Sequence, residues 1–246
     1  MVTFEHFHLL MRYGEYLHSM SGKPESAVPY FEQAVELASI LYPSLKGNDE
    51  LALAHEWLGR CYIIASKLGK AELHFQKSLE VRYDLHGEDH EDIAVSWHCL
   101  GNVYASQKQM DKAVELHSKS LELKKKHLGE DDPQISYTLG MLAGDFIEMK
   151  EYQKALDMQQ EAYDIRIKTY GKDHPRIADI NFNMATTYIA LKDVDNAEKN
   201  IMAAYAIRRK LFGEDHYTVA LCKLNIAKVL GLKEDFSEAI TYVNQA

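Results

Sequence analysis

The chain of 246 residues is short of three things, and each shortage removes a class of function. It has three cysteines, Cys61, Cys99 and Cys222, an odd number set far apart. That excludes a disulfide framework and points to a reducing, cytoplasmic setting. Basic side chains are the minority: 28 Lys and Arg face 37 Asp and Glu, a formal charge of −9. A nucleic-acid partner would call for a basic stripe, so none is expected. Charge steering favours a basic or neutral partner instead. No apolar run approaches the roughly 18 residues that span a bilayer, so no membrane partner is expected either. The start, Met1-Val2-Thr3-Phe4-Glu5-His6, also lacks the basic opening and apolar core of a secretory signal.

What the chain has is a period. Gly87-Glu88-Asp89-His90, Gly129-Glu130-Asp131-Asp132, Gly171-Lys172-Asp173-His174 and Gly213-Glu214-Asp215-His216 recur with each glycine 42 residues after the last. A fixed period of this size marks a solenoid or array. In the unit that begins at Glu91, apolar or small residues fall at Ile93, Ala94, Trp97, Leu100, Gly101 and Tyr104, steps of three and four that make one stripe of a helix. Gln107 to Met110 form a polar turn, and a second stripe runs through Ala113, Leu116, Ser120, Leu121 and Leu128. Gly129 ends it, a place where the left-handed conformation suits glycine. Lys124, Lys125 and Lys126 meet the negative helix end. Asp132 and Pro133, like His174 and Pro175, have the chemistry of a cap followed by the first helical residue.

Other positions keep the same phase. Ala71, Ala113, Ala155, Ala197 and Ala239 form one series, and Gly59, Gly101, Ala143, Ala185 and Ala227 another. Small residues at two fixed places let the helices of a hairpin cross closely, with Tyr62, Tyr104, Phe146 and Tyr188 filling the gap beside them. Arg82, Lys124, Arg166 and Arg208 share a phase late in the second helix. The expected fold is all-α, a right-handed α-solenoid of about six antiparallel hairpins, with approximate repeats 3–42, 50–86, 91–128, 133–170, 175–212 and 217–246. The first unit is irregular: helices are expected over Met11–Met20 and Glu25–Leu41, and a longer connection, Tyr42 to Asn48, follows. Terminal repeats are often atypical because they cap the stack. The last unit stops at Ala246 before its second helix should end, so a truncated chain with an exposed apolar helix face is expected there.

Trp57-Leu58-Gly59-Arg60-Cys61-Tyr62, then Ala71, Phe75 and Ser78, resemble the tetratricopeptide repeat. The 42-residue period and Ala204-Tyr205-Ala206-Ile207-Arg208-Arg209-Lys210-Leu211-Phe212-Gly213-Glu214-Asp215-His216 resemble its longer form in kinesin light chains. Asn183 and Asn225 match the Asn such chains carry before a Leu-Ala pair, where other units hold Trp57, Cys99 and Met141. The resemblance implies that first helices line a concave groove. Carried over by phase, its residues include Glu56, Arg60, His98, Asn102, Gly140, Gly144, Phe182, Thr186 and Lys228. This mixed lining lacks a run of Lys and Arg to clamp a carboxylate terminus, and suits an extended peptide or a helix with apolar and polar side chains. Gly140 and Gly144 make a bare strip, each costing about 1 kcal/mol relative to Ala inside a helix. Two explanations stand: a recess for a bulky partner side chain, or else close helix packing or tolerated drift.

Chemistry finds little footing. His90, His174 and His216 fall on separate hairpins stacked at roughly 10 Å, too far for shared ligation at about 2 Å; turn and cap roles are expected for them. His55-Glu56 opens like a zinc-protease motif, but position 59 is Gly. Gly69-Lys70 and Gly171-Lys172 lack the rest of a phosphate loop, and no Gly-x-Ser-x-Gly elbow occurs. His98 and Cys99 are adjacent on a helix and point apart. The expectation is therefore a non-catalytic scaffold, with no metal and no cofactor, that binds a peptide or helical segment of a protein in its groove. Two alternatives are a peptide-sensing regulatory domain of a larger signalling protein, and a structural module that self-associates through the C-terminal helix face.

Overall fold

A computed structural model describes residues 4–20, 24–41 and 49–246, and every regular element among them is helical. The chain divides into two compact units, Met1–His127 and Leu128–Ala246. The first unit contains α1 (Phe4–Ser19), a 3₁₀ turn (Pro24–Ala27), α2 (Val28–Leu41), α3 (Asp49–Ile64), α4 (Leu68–His86), α5 (Glu91–Ser106) and α6 (Met110–Leu128). The second contains α7 (Pro133–Glu148), α8 (Tyr152–Tyr170), α9 (Pro175–Leu191), α10 (Val194–Phe212), α11 (Tyr217–Leu232) and α12 (Phe236–Asn244). Each unit is a stack of helical hairpins of the α-solenoid type.

The N-terminal hairpin departs from its expected bounds. Its first helix begins at Phe4 rather than Met11, and the stretch expected as one helix from Glu25 is a 3₁₀ turn followed by α2. Pro29 accounts for the break: its ring would clash with the carbonyl of Glu25, so the α-helix cannot continue backwards through it. The Tyr42–Asn48 connection lies outside the described residues.

Junctions between hairpins follow the period. Gly87, Gly171 and Gly213 end α4, α8 and α10 with φ of 73°, 74° and 84°, and each N–H bonds back to the carbonyl four residues earlier. Their ψ values of −168°, 174° and 169° are not those of the expected left-handed cap. They lie in a region that is essentially glycine's alone. The chain leaves the helix extended, which carries it directly to the next cap. There the imidazole Nδ1 of His90, His174 and His216 accepts from the backbone N–H two residues on, at 3.3, 3.2 and 3.3 Å. Asp132 does the same at 2.8 Å.

Between the two helices of a hairpin the core depends on a size match. A Cβ added to Gly14, Gly59 or Gly101 would sit 2.7, 2.8 or 2.5 Å from the ring of Phe31, Phe75 or His117. The filler is thus a ring on the second helix, 16 or 17 residues away, in addition to the aromatic of the first helix. In the second unit the equivalent positions hold buried Ala143 and Ala185, with Gln159 and Ile201 in place of the rings. Ser78 and Ser120 also tie second helices of the first unit to first helices, donating to the carbonyls of Ala52 and Ala94 at 2.8 and 2.7 Å. Alanines 162 and 204 take those places in the second unit.

Candidate functional site

Within each unit, arginines from the second helices organise the first-helix face. Arg82, Arg166 and Arg208 each reach a backbone carbonyl ten residues on. Nη1 bonds the oxygen of Asp92 at 3.3 Å, of Arg176 at 3.4 Å and of Thr218 at 3.2 Å. These are carbonyls near the starts of α5, α9 and α11, so each arginine fastens the next hairpin to its own.

The other side of the guanidinium differs among the three. Arg82, 6% exposed, donates from Nη2 to Glu56 Oε2 at 2.6 Å and from Nη1 to Ser96 Oγ at 2.7 Å. Arg208, also 6% exposed, donates from Nη2 to Asp179 Oδ1 at 2.9 Å and lies 4.6 Å over the Phe182 ring. Arg166 has no carboxylate partner among the described residues. Its remaining bonds are long, from Nε to Ser136 Oγ at 3.4 Å and from Nη2 to Ser136 O at 3.5 Å. Burial, and next the charge of Arg176, hold its pKa below the usual guanidinium value, with Asp179 partly opposing them.

The repeat phase explains the gap. Glu56, His98, Gly140, Phe182 and Leu224 are equivalent positions. Where Arg82 finds Glu56 and Arg208 finds Phe182, Arg166 finds Gly140, whose added Cβ would touch only Arg166 Nη2, at 3.9 Å. A Cβ on Gly144 would meet nothing within 4 Å. The two glycines are therefore not a close-packing device, unlike Gly59 and Gly101. They open a window onto a half-buried cation.

The other residues expected to line a groove are unevenly available. Glu56 is 5% exposed and both its oxygens are taken, Oε1 by Arg60 at 2.6 Å and Oε2 by Arg82 at 2.6 Å. His98 is 7% exposed; its Nε2 faces Asn102 Nδ2 at 3.2 Å, and burial depresses its pKa to about 3. Arg60 and Lys228 are exposed, and Asn102 and Phe182 half-buried. Thr186 is exposed but donates to its own helix, at the carbonyl of Phe182, 3.0 Å away. Arg166 was absent from the groove set because it belongs to a second helix; its shared phase with Arg82 and Arg208 was the available signal.

Two chemical groupings test differently from a site. His86, His90 and Asp92 bring ligand-type atoms within 4.8 Å of one another. The two imidazoles, however, stack at 4.0 Å and 14°, and a metal must lie in the plane of each ring it binds, which parallel stacked rings deny to a shared ion. The same stack recurs as Tyr170 on His174 and Phe212 on His216, so it is packing of the turn. The thiols of Cys61, Cys99 and Cys222 are free and buried, and burial raises Cys61 to about 11 and Cys99 to about 12, the reverse of nucleophile activation.

Comparison with known proteins fits this geometry. The tetratricopeptide repeat profile matches residues 49–126, 92–168, 134–193 and 176–246. The chain belongs to the tetratricopeptide repeat family. Among solved structures it is similar to BtubC (BKLC) from P. vanneervenii, with a TM-score of 0.76 and 20% identity, covering 90% of this chain and 87% of that one. A putative kinesin light chain with nearly identical TPR-like repeats from Podosopora anserina gives a TM-score of 0.72 at 20% identity, over 80% of this chain and 94% of that one. YrrB, described as a TPR protein with an unusual peptide-binding site, gives 0.53 at 17% identity, over 87% and 89%. None of the curated proteins matches this chain.

Proposed function

We propose that this tetratricopeptide repeat chain is a non-catalytic scaffold that holds a peptide or helical segment of a partner protein along its first-helix face, and that the segment carries an acidic side chain seated on Arg166. The observation that supports this is the window at Gly140. Two of three equivalent arginines receive a carboxylate from the chain itself, and the third is open to receive one from outside. A carboxylate and a guanidinium make a charge-assisted, often bidentate pair, stronger than a neutral hydrogen bond. Half-buried surroundings keep solvent from screening it fully. Phe182 and Thr186, one hairpin on, offer apolar and polar contact beside it, and Lys228 a further cation. Arg60, Asn102, Glu56 and His98 form the corresponding face of the first unit, with Glu56 and His98 acting through the neighbours they hold. A cytoplasmic location belongs to this reading, resting on three unpaired thiols. Among the described residues no helix is long and apolar enough to cross a membrane.

The test is a peptide-display selection on the immobilised chain. Selected peptides should share an Asp or Glu at one fixed position and lose at least tenfold in affinity against Arg166→Ala. Peptides without that acid, or with unchanged affinity for the variant, would refute the assignment.

A second reading is favoured by α12. None of its residues is buried, and Phe236, Ile240 and Val243 are each more than half exposed along one face. Self-association through that face predicts a concentration-dependent mass in sedimentation equilibrium that Ile240→Asp abolishes. A monomer at all concentrations removes it.

A further inference from the structure

A second site lies within the second unit, lined by helices of both kinds. A cavity of about 310 Å³ opens among α8, α9 and α10 within the second unit. Its floor carries Asn181, 6% exposed, with no hydrogen-bond partner among the described residues. Neither of its amide atoms is enclosed, so the unbonded carboxamide faces the open space of the cavity and is available to a guest. Tyr163 and Tyr188 line the same cavity, and neither hydroxyl has a partner among the described residues.

Comparison along the period shows what this place does elsewhere. Position 181 is equivalent to 55, 97 and 139, and position 200 to 74, 116 and 158. In one hairpin the pair is His55 and His74, closed on each other with Nδ1 to Nδ1 at 2.9 Å, and Tyr62 stacks on His74. In the next two it is Trp97 with Leu116, then Leu139 with Met158, apolar in both. In the fifth it is Asn181 with Asn200, which do not bond each other. Asn200 Nδ2 donates instead to the carbonyl of Asn196 at 2.8 Å. Ala203, also in the lining, stands where the sister hairpins have the longer Lys77, Lys119 and Glu161.

The polarity of the lining selects the ligand. Gln160, Asn196 and Asn200 have each given an N–H to the chain's own acceptors, Asp164, Asp193 and the Asn196 carbonyl. Their carbonyl oxygens remain to accept. Lys199 and the tyrosine hydroxyls can donate, and no carboxylate lines the cavity. A guest must therefore both donate and accept. A carboxylate offers no donor and an aliphatic group offers neither, whereas a primary carboxamide offers two N–H groups and one carbonyl oxygen. We infer that this cavity receives the carboxamide of an Asn or Gln side chain from a partner polypeptide, with Asn181 as its complementary floor. This is independent of the Arg166 window, because Gly140, Gly144 and Arg166 do not line the cavity.

The test is nuclear magnetic resonance of the side-chain NH₂ groups, with acetyl-glutamine amide titrated into the ¹⁵N-labelled chain. The Asn181 and Asn200 pairs should shift saturably. Acetyl-glutamate amide and acetyl-leucine amide should move them at least fivefold less at equal concentration. Asn181→Leu, which copies Leu139, should abolish the response while the helical circular dichroism stays unchanged. If that variant fails to fold, Ala203→Glu, which copies Glu161, puts a longer side chain in the lining without touching the floor and should weaken binding at least fivefold. Arg166→Ala should leave the response intact. Absence of a saturable shift, an equal response to the glutamate probe, or full binding by a folded variant with the site filled or closed would overturn the inference. Tighter binding of free L-glutamine than of the capped form would overturn the assignment to a partner chain.

Discussion

The two units solve one packing problem with different residue sets. The first pairs glycine with a ring, Gly59 with Phe75 and Gly101 with His117; the second pairs alanine with a slimmer side chain, Ala143 with Gln159 and Ala185 with Ile201. The first is rich in histidine, with ten of the chain's 12 at positions 6, 8, 18, 55, 74, 86, 90, 98, 117 and 127; the second has His174 and His216, both caps. The first closes its buried arginine with Glu56, while the second leaves Arg166 open beside Gly140. One scaffold can thus spend its variable positions on internal closure in one unit and on openings in the other. Repeat position fixes where a side chain goes, and residue choice decides whether it seals the wall or leaves a gap.

The sharpest way to break this contrast is at the arginines. Glu56→Ala should cost about 3–5 kcal/mol, because it leaves Arg82 charged, buried and without its carboxylate; urea unfolding of the first unit, followed by hydrogen exchange, measures it. The reciprocal change, Gly140→Glu, places at Arg166 the residue its equivalent Arg82 already has. It should raise the stability of the second unit by about 1 kcal/mol from helix propensity alone, and abolish binding of acidic peptides.

Next in size is the ring-on-glycine match. Gly101→Ala drives a Cβ to 2.5 Å from His117 and should cost about 1–3 kcal/mol. Adding His117→Ile, the partner that Ala185 has, should recover at least about 0.5 kcal/mol of it as coupling between the two sites. Purely additive losses in thermal melts would show that the pairs are not matched.

Acidification should then separate the units. Burial depresses His55 to about 3, His74 to about 4 and His98 to about 3, against an ordinary value of 6.5. The unfolded chain therefore binds protons that the folded one refuses. No penalty exists above about pH 6.5, and it grows as pH falls through 6 towards 4. Hydrogen exchange at pH 7 and pH 5 should show protection lost first in residues 49–127, ahead of 133–246. Equal loss in both would remove histidine as the cause.

The smallest effect is at the turns inside hairpins. Ser66, Lys108, Lys150, Lys192 and Glu234 all have φ between 56° and 63°, a conformation that disfavours side chains. Lys150→Gly should stabilise by up to about 1 kcal/mol, read as a small rise in Tm.

Much of this was legible in the sequence. The helices, their capping histidines and Asp132, and the family follow from the period, because caps and stripes are local. The same phase sets the proposed partner face, with Arg60, Asn102, Gly144, Phe182, Thr186 and Lys228. What periodicity could not give is the contact made across two helices. Glu56 and His98 have the phase of groove residues but are buried by partners about 20 to 26 residues away, Arg82 and His117. The openness of Gly140 depends likewise on what Arg166 lacks, and no single-helix pattern records that. The junction glycines show the same limit: glycine was expected at φ above zero, but ψ is set by where the chain must go next.

One small linkage has a larger implication. His86 meets Asp49 at 2.7 Å, Lys126 meets Asp89, Lys168 meets Asp131 at 2.7 Å and Lys210 meets Asp173 at 2.7 Å, always 37 positions apart. These exposed pairs are individually weak, worth up to about 1 kcal/mol each. Their common span means that four successive hairpins, from α3–α4 to α9–α10, each hand a cation to the aspartate at their own opening. Duplicating or excising a whole 42-residue block restores the same handshake at the new seam, whereas any fractional cut destroys it. Ancestral chains of this kind could lengthen or shorten by copying entire modules, and the positions that now form pockets were free to diverge once each copy was clasped in place.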